Sequence, residues 1–109
     1  MIEKISTYLG FCIRSGKIVY GVDEIAEHKK RISLLIIDGA LSENSRKEIY
    51  KAQERLACPL LETEEGLLGE LLHKPAVKAV ALKEKNLASA VLSAAKGSAK
   101  LKFIRGGKE

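Results

Sequence analysis

"ISLLIID", Ile32 to Asp38, is a near-continuous apolar run of β-favouring residues closed by one carboxylate. A run with no polar alternation reads as a strand buried on both faces, so its sheet needs a covering layer on each side. The flanking segments supply such layers. "GVDEIAEHKK", residues 21–30, reads as a helix that turns Val22, Ile25 and Ala26 inward. "GALSENSRKEIYKAQERLA", residues 39–57, reads as a longer helix with Ile49, Ala52 and Leu56 as its buried stripe. Ser45 and Glu48 have the spacing of a capping box at its start, with Ser42 as an alternative cap.

The same alternation extends outward in both directions. Ile2, Ile5, Leu9 and Cys12 recur at helical spacing, and Gly16 is a natural stop for that first helix. "KIVY" (17–20) is a short β-like run between two glycines, and "PLLET" (59–63) is a short strand introduced by Pro59. "EEGLLGELLHK" (64–74) is a short helix whose apolar stripe is Leu67, Leu68, Leu71 and Leu72. "VKAVAL" (77–82) is a last strand, and "KNLASAVLSAAK" (85–96) is a closing, alanine-rich helix. Strict alternation predicts an α/β fold, a three-layer α-β-α sandwich with a central four-stranded mixed sheet. The expected domain is 1–95. Residues 96–109, "KGSAKLKFIRGGKE", show no clear period and read as a basic flexible C-terminal tail.

Composition narrows the functional classes. With 109 residues, 46% apolar and 30% charged, the chain suits one globular domain and not a disordered segment. No apolar run approaches the ~18 residues of a membrane span. Glu3 and Lys4 interrupt any signal-like start, so a cytoplasmic location without membrane association is expected. Cys12 and Cys58 lie far apart and are expected to be reduced and buried. His28 and His73 have no acidic or cysteine partner at ligand spacing, so no metal is expected. There is no Walker A lysine and no G-x-G-x-x-G after a strand, and no carboxylate is matched with a nucleophile or base. The expectation is a non-enzyme with no catalytic residues and no cofactor.

Charge points to the partner. The net charge is +5, of which residues 96–109 carry +4 and the remainder +1. A nearly neutral body with a basic end fits a polyanionic partner such as nucleic acid, or simply a solubilising tail. A sharper signal is "YGVDEI", Tyr20 to Ile25. Acids in a helix's first turn stabilise it by about 0.3–1 kcal/mol each, which explains Asp23 and Glu24 in part. Their setting adds more. Gly16 and Gly21 bracket the preceding run and allow close backbone approach. Arg14 and Lys17 are near in sequence to bind phosphates, and a carboxylate can accept from the donor edge of guanine.

"LGFCIRSGKIVYGVDEI", "LSENSRKE" and "LGELLHKPAVKAVALKEKNLASAV", in that order, resemble the YlxQ-like bacterial branch of the kink-turn RNA-binding ribosomal-protein superfamily. The superfamily includes archaeal ribosomal protein seven-Ae. The resemblance covers roughly Ile2 to Ala95. It implies a sandwich that binds structured RNA, typically a kink-turn with tandem sheared G·A pairs, in a ribosomal or translation setting. By that match Gly21 admits the RNA backbone, Glu24 accepts from a guanine and Lys17 contacts phosphate. The loop Lys74, Pro75, Ala76 and Val77 would meet the flipped or stacked base of the kink. Two positions depart from the family pattern. Asp23 stands where the family has asparagine, replacing an amide by an acceptor-only group, and Glu27 stands where a lysine is frequent. Lys29, Lys30 and Arg31 carry compensating charge one turn further on. The implied partner is rRNA or another structured RNA, with ribonucleoprotein components, and the free protein is expected to be a monomer. The alternative is a protein-interaction module that keeps the fold without specific kink-turn recognition.

Overall fold

In the computed structural model, which describes residues 2–105, the run that opens the sequence is the middle of the sheet. Strand β2 (Leu34–Asp38) is buried at every position. Successive side chains point to opposite faces, so Leu34 and Ile36 join one core while Leu35 and Ile37 join another. Helices α1 (Ile2–Arg14), α4 (Leu67–Leu72) and α5 (Lys85–Lys96) cover the first face, and α2 (Val22–Glu27) and α3 (Glu43–Leu56) cover the second. The three-layer sandwich is thus the observed architecture.

The sheet has five strands, not four. Its order is β1-β4-β2-β3-β5, with β1 at Ile18–Tyr20, β3 at Leu60–Thr63, β4 at Ala79–Leu82 and β5 at Leu101–Arg105. The β2–β3 pair is parallel and the other pairings are antiparallel, so the sheet is mixed. The fifth strand comes from the segment expected to be a flexible tail. β3 would otherwise leave a row of backbone groups unpaired at the sheet edge, and β5 pairs with it from Thr63↔Leu101 to Leu60↔Arg105. Leu101 is buried beneath α5, so the domain continues past residue 95. Residues 106–109 of the expected tail lie outside the described residues. The local pattern concealed the strand because Lys102 interrupts its apolar side chains and a register shift opposite Leu60 and Leu61 breaks its period.

Two helix starts and stops also differ from expectation. α3 begins one turn earlier than the Ser45–Glu48 box: Ser42 is the cap, its hydroxyl accepting from the Ser45 amide at 3.3 Å. α2 ends at Glu27, because His28 turns extended and the chain must cross to Ile32, which is buried. The guanidinium of Arg55 on α3 donates to the carbonyls of His28 and Ala26 at 2.7 and 2.9 Å, satisfying the end of α2. Among the described residues, no helix is long and apolar enough to cross a membrane.

Candidate nucleic-acid interface

Strand directions sort the loops into two sets. β1, β2 and β3 run one way and β4 and β5 the other. One end of the sheet therefore carries the β1–α2 turn, the loops leaving β2 and β3, and the segments entering β4 and β5. Gly21 to Glu24 and Lys74 to Val77, distant in sequence, share that end.

Gly21 is where they join. Its amide donates to the Ala79 carbonyl at 2.9 Å, tying the turn to the first residue of β4. Its φ of 87° and ψ of 151° lie in a region that side-chain-bearing residues enter only under strain. An added Cβ would meet nothing within 4 Å, so glycine is required by the backbone conformation, and the space over it is open. Just before it, Tyr20 carries the Lys74 ammonium 5.6 Å from its ring centroid, a cation–π contact that holds the second loop against the turn. Burial pushes the Tyr20 phenol up, which keeps the ring neutral beneath that cation.

The loop itself is set by a residue that sequence reasoning passed over. Gly69 lies buried on α4, and a Cβ there would stand 2.9 Å from the Pro75 Cα and 3.0 Å from the Lys74 carbonyl oxygen. The Lys74 amide donates to the Gly69 carbonyl at 2.9 Å. Backbone thus packs on backbone, and Lys74, Pro75 and Ala76 are presented to solvent with Val77 half-buried behind them. The signal was present as "LLGELL", a glycine inside a helical stripe, which implies close approach of another chain segment.

Asp23 and Glu24 are both exposed on the first turn of α2, and among the described residues neither has a hydrogen-bond or ion-pair partner. Asp23 borders an open groove between α2 and α3 together with Val22, Asn44, Ser45, Lys47 and Lys51. Lys47 faces Asp23 across this groove, while Lys51 is ion-paired with Glu48 of the same groove at 3.8 Å.

The remaining expected contacts lie elsewhere. Lys17 precedes β1 and its carbonyl accepts from the Lys83 amide at 2.9 Å, so it sits at the opposite end of the sheet. The three residues of β1 separate it from Gly21, four extended steps or about 13 Å. Lys29 and Lys30 follow the far end of α2 and belong to that same opposite end. There they lie with Arg55 and Lys83, alongside the exposed Glu27, and His28 is held below its ordinary value by burial, then by Lys83, Lys30 and Arg55. Arg14 borders a groove between α1 and α4 with Gly10, Glu70 and His73, its guanidinium 4.9 Å from the Phe11 ring centroid. The structure therefore brings together Gly21, Asp23, Glu24 and Lys74 to Val77, and separates them from Lys17, Lys29 and Lys30.

No protein-family model matches the chain, and no curated protein matches it. Among solved structures it is similar to a protein of unknown function from Bacillus halodurans C, with a TM-score of 0.73 over 83% of this chain and 94% of that one. At 14% identity that likeness establishes the shared fold alone.

Proposed function

We propose that the protein is a non-enzymatic, cytoplasmic RNA-binding protein of the YlxQ-like kind. Its proposed ligand is a kink-turn or related structured RNA, bound at the sheet end that carries Gly21 and the Lys74–Val77 loop. The observation that carries this reading is the junction of the two segments through the Gly21–Ala79 hydrogen bond and the Lys74–Tyr20 contact. It offers an unobstructed backbone, an exposed acceptor in Glu24 and an exposed basic and apolar loop on one surface. Those are the elements that fix an RNA backbone and read a guanine edge. Lys17, Lys29 and Lys30, at the other end of the sheet, contribute to long-range attraction and not to base reading. Ribosomal RNA and ribonucleoprotein components are the corresponding partners, and no cofactor enters this function.

The test is a titration of kink-turn RNA and of its control with disrupted G·A pairs, at two salt concentrations. Glu24→Ala is expected to weaken binding to the intact kink-turn by about 1–3 kcal/mol and to leave the control nearly unchanged. Equal loss on both RNAs would remove Glu24 from base recognition. A second reading, a protein-interaction module, is favoured by the exposed Asp23 and Glu27, which have no ion-pair partner among the described residues and repel phosphate. Equal affinity for the kink-turn and a random hairpin would support it.

A further inference from the structure

The most exposed large apolar side chain among the described residues stands far from the surface just described. Phe103 is 58% exposed, on the edge strand β5. Beside it a cleft of about 220 Å³ lies between β5 and α5, with Leu92, Ala95 and Leu101 along its apolar wall and Lys96 and Ser98 on its rim. This is smaller than the ~300–1,000 Å³ typical of a cofactor pocket. It matches a single flat ring laid against Phe103.

Charge identifies the occupant. Residues 96–104 contain Lys96, Lys100 and Lys102 and no acid. All three lysines are exposed, and among the described residues none is ion-paired. The Lys100 amide is held by the Ser98 hydroxyl at 3.2 Å, which orders the turn into β5. Nearby Glu64 donates its amide to the Lys100 carbonyl at 3.0 Å, and no ion pair joins the two side chains among the described residues. An exposed aromatic ring among unpaired lysines is the pairing that binds unstacked bases and their phosphates. Lys102, exposed on the free β5 edge, disfavours pairing of that edge with a second copy of itself, because a charged side chain on an edge strand blunts strand addition.

We propose that the α5–β5 cleft is a second RNA contact, which stacks one unpaired base on Phe103 and holds the flanking phosphates with Lys96 and Lys100. Lys102, on the other face of the strand, adds to the attracting field. The inference takes from the proposed function only the class of partner, and the surface is a different one. The turn from Lys96 to Lys100 opens at the same end of the sheet as Gly21, four strand spacings away, about 19 Å. A structured RNA bound at the first surface thus reaches the second with a single-stranded flank.

The experiment uses the full chain and two fluorescent RNAs: an unstructured oligoadenylate and a kink-turn without flanks. Phe103→Ala is expected to weaken oligoadenylate binding about tenfold and to leave the kink-turn unchanged, whereas Glu24→Ala does the reverse. Lys96→Gln is expected to reduce the salt dependence for oligoadenylate. The chain has no tryptophan, so Phe103→Trp provides a sole reporter whose emission oligoadenylate should quench. Wild-type affinity for oligoadenylate in Phe103→Ala, with no quenching in Phe103→Trp, overturns the second contact whatever the kink-turn titration shows. A dimer in sedimentation that Phe103→Ala dissolves, with no oligoadenylate binding, also overturns it in favour of self-association. Failure of kink-turn binding alone counts against the first surface and leaves this prediction to stand on its own titration.

Discussion

Asp38, the last residue of β2, shows how one buried charge orders the sheet end that carries the candidate interface. Its carboxylate is 1% exposed and accepts from the amides of Ala40, Gly66 and Leu68 and from the Thr63 hydroxyl. Burial is the largest single influence and pushes its pKa up. The combined hydrogen bonds from Gly66, Ala40, Leu68 and Thr63 outweigh it and hold the group below the usual carboxylate range. A depressed pKa stabilises the fold at pH above the unfolded value of about 4, and that contribution is lost as pH falls through the folded value. Asp38→Ala should strand several buried amides and cost about 3 kcal/mol or more in urea unfolding at pH 7. The variant's stability should also vary less than the wild type's below about pH 4, and an unchanged acid profile would remove Asp38 from that role. At the proposed RNA surface, Asp23→Asn restores a donor and removes a charge facing phosphate. It should tighten kink-turn binding by about 1–3 kcal/mol, whereas unchanged affinity would place Asp23 away from the base.

At the scale of elements, the short pieces stand only because longer ones complete them. α2 has six residues, too few to persist alone, and it is held by Ile25 in the core and by Arg55 on its last carbonyls. The loop leaving β2 is fastened similarly: Arg46 makes two 3.1 Å bonds to the Glu62 carboxylate and one of 3.0 Å to the Gly39 carbonyl. β5 does for the sheet what Arg55 does for α2. Truncation after Lys96 should therefore cost at least about 2 kcal/mol from Leu101 alone and expose the β3 edge to aggregation. Urea unfolding and light scattering check this. A truncated chain of wild-type stability would mean that β5 is not part of the cooperative unit.

Across the whole molecule, the two cores on opposite faces of the sheet each enclose one thiol. Cys12 and Cys58 are 0% and 2% exposed, and burial pushes both thiols up to about 11. A protonated, enclosed thiol is a poor nucleophile, so both should react with a thiol reagent at pH 8 only as the protein opens. Their labelling rates should rise with urea. Rapid labelling of one cysteine in native buffer would show that its layer opens independently. Charge is likewise arranged at this scale: one sheet end carries exposed acids beside Lys74, while the other gathers Lys17, Lys29, Lys30 and Lys83 with Glu27 and Glu84 among them. Raised salt should therefore weaken RNA attraction generally while leaving guanine discrimination unchanged.

The sequence by itself determined the element order from α1 to α5 and the two-sided sheet. "ISLLIID" has no polar face to offer water, and the helical stripes around it each have one apolar side, so three layers follow from burial alone. It also singled out Gly21, whose need for positive φ is local. Tertiary structure alone decided the fifth strand, because "LKFIR" becomes a strand through the unpaired edge of β3 and not through its own pattern. Tertiary structure alone also decided which charges share a surface. Lys17 lies four residues from Gly21 in the chain yet at the other end of the sheet, because an extended strand separates its ends as fast as a chain can. Lys74, more than fifty residues away, returns to Tyr20 because Gly69 lets its loop fold flat on α4. Proximity of that kind depends on strand direction and close packing, which no local spacing encodes.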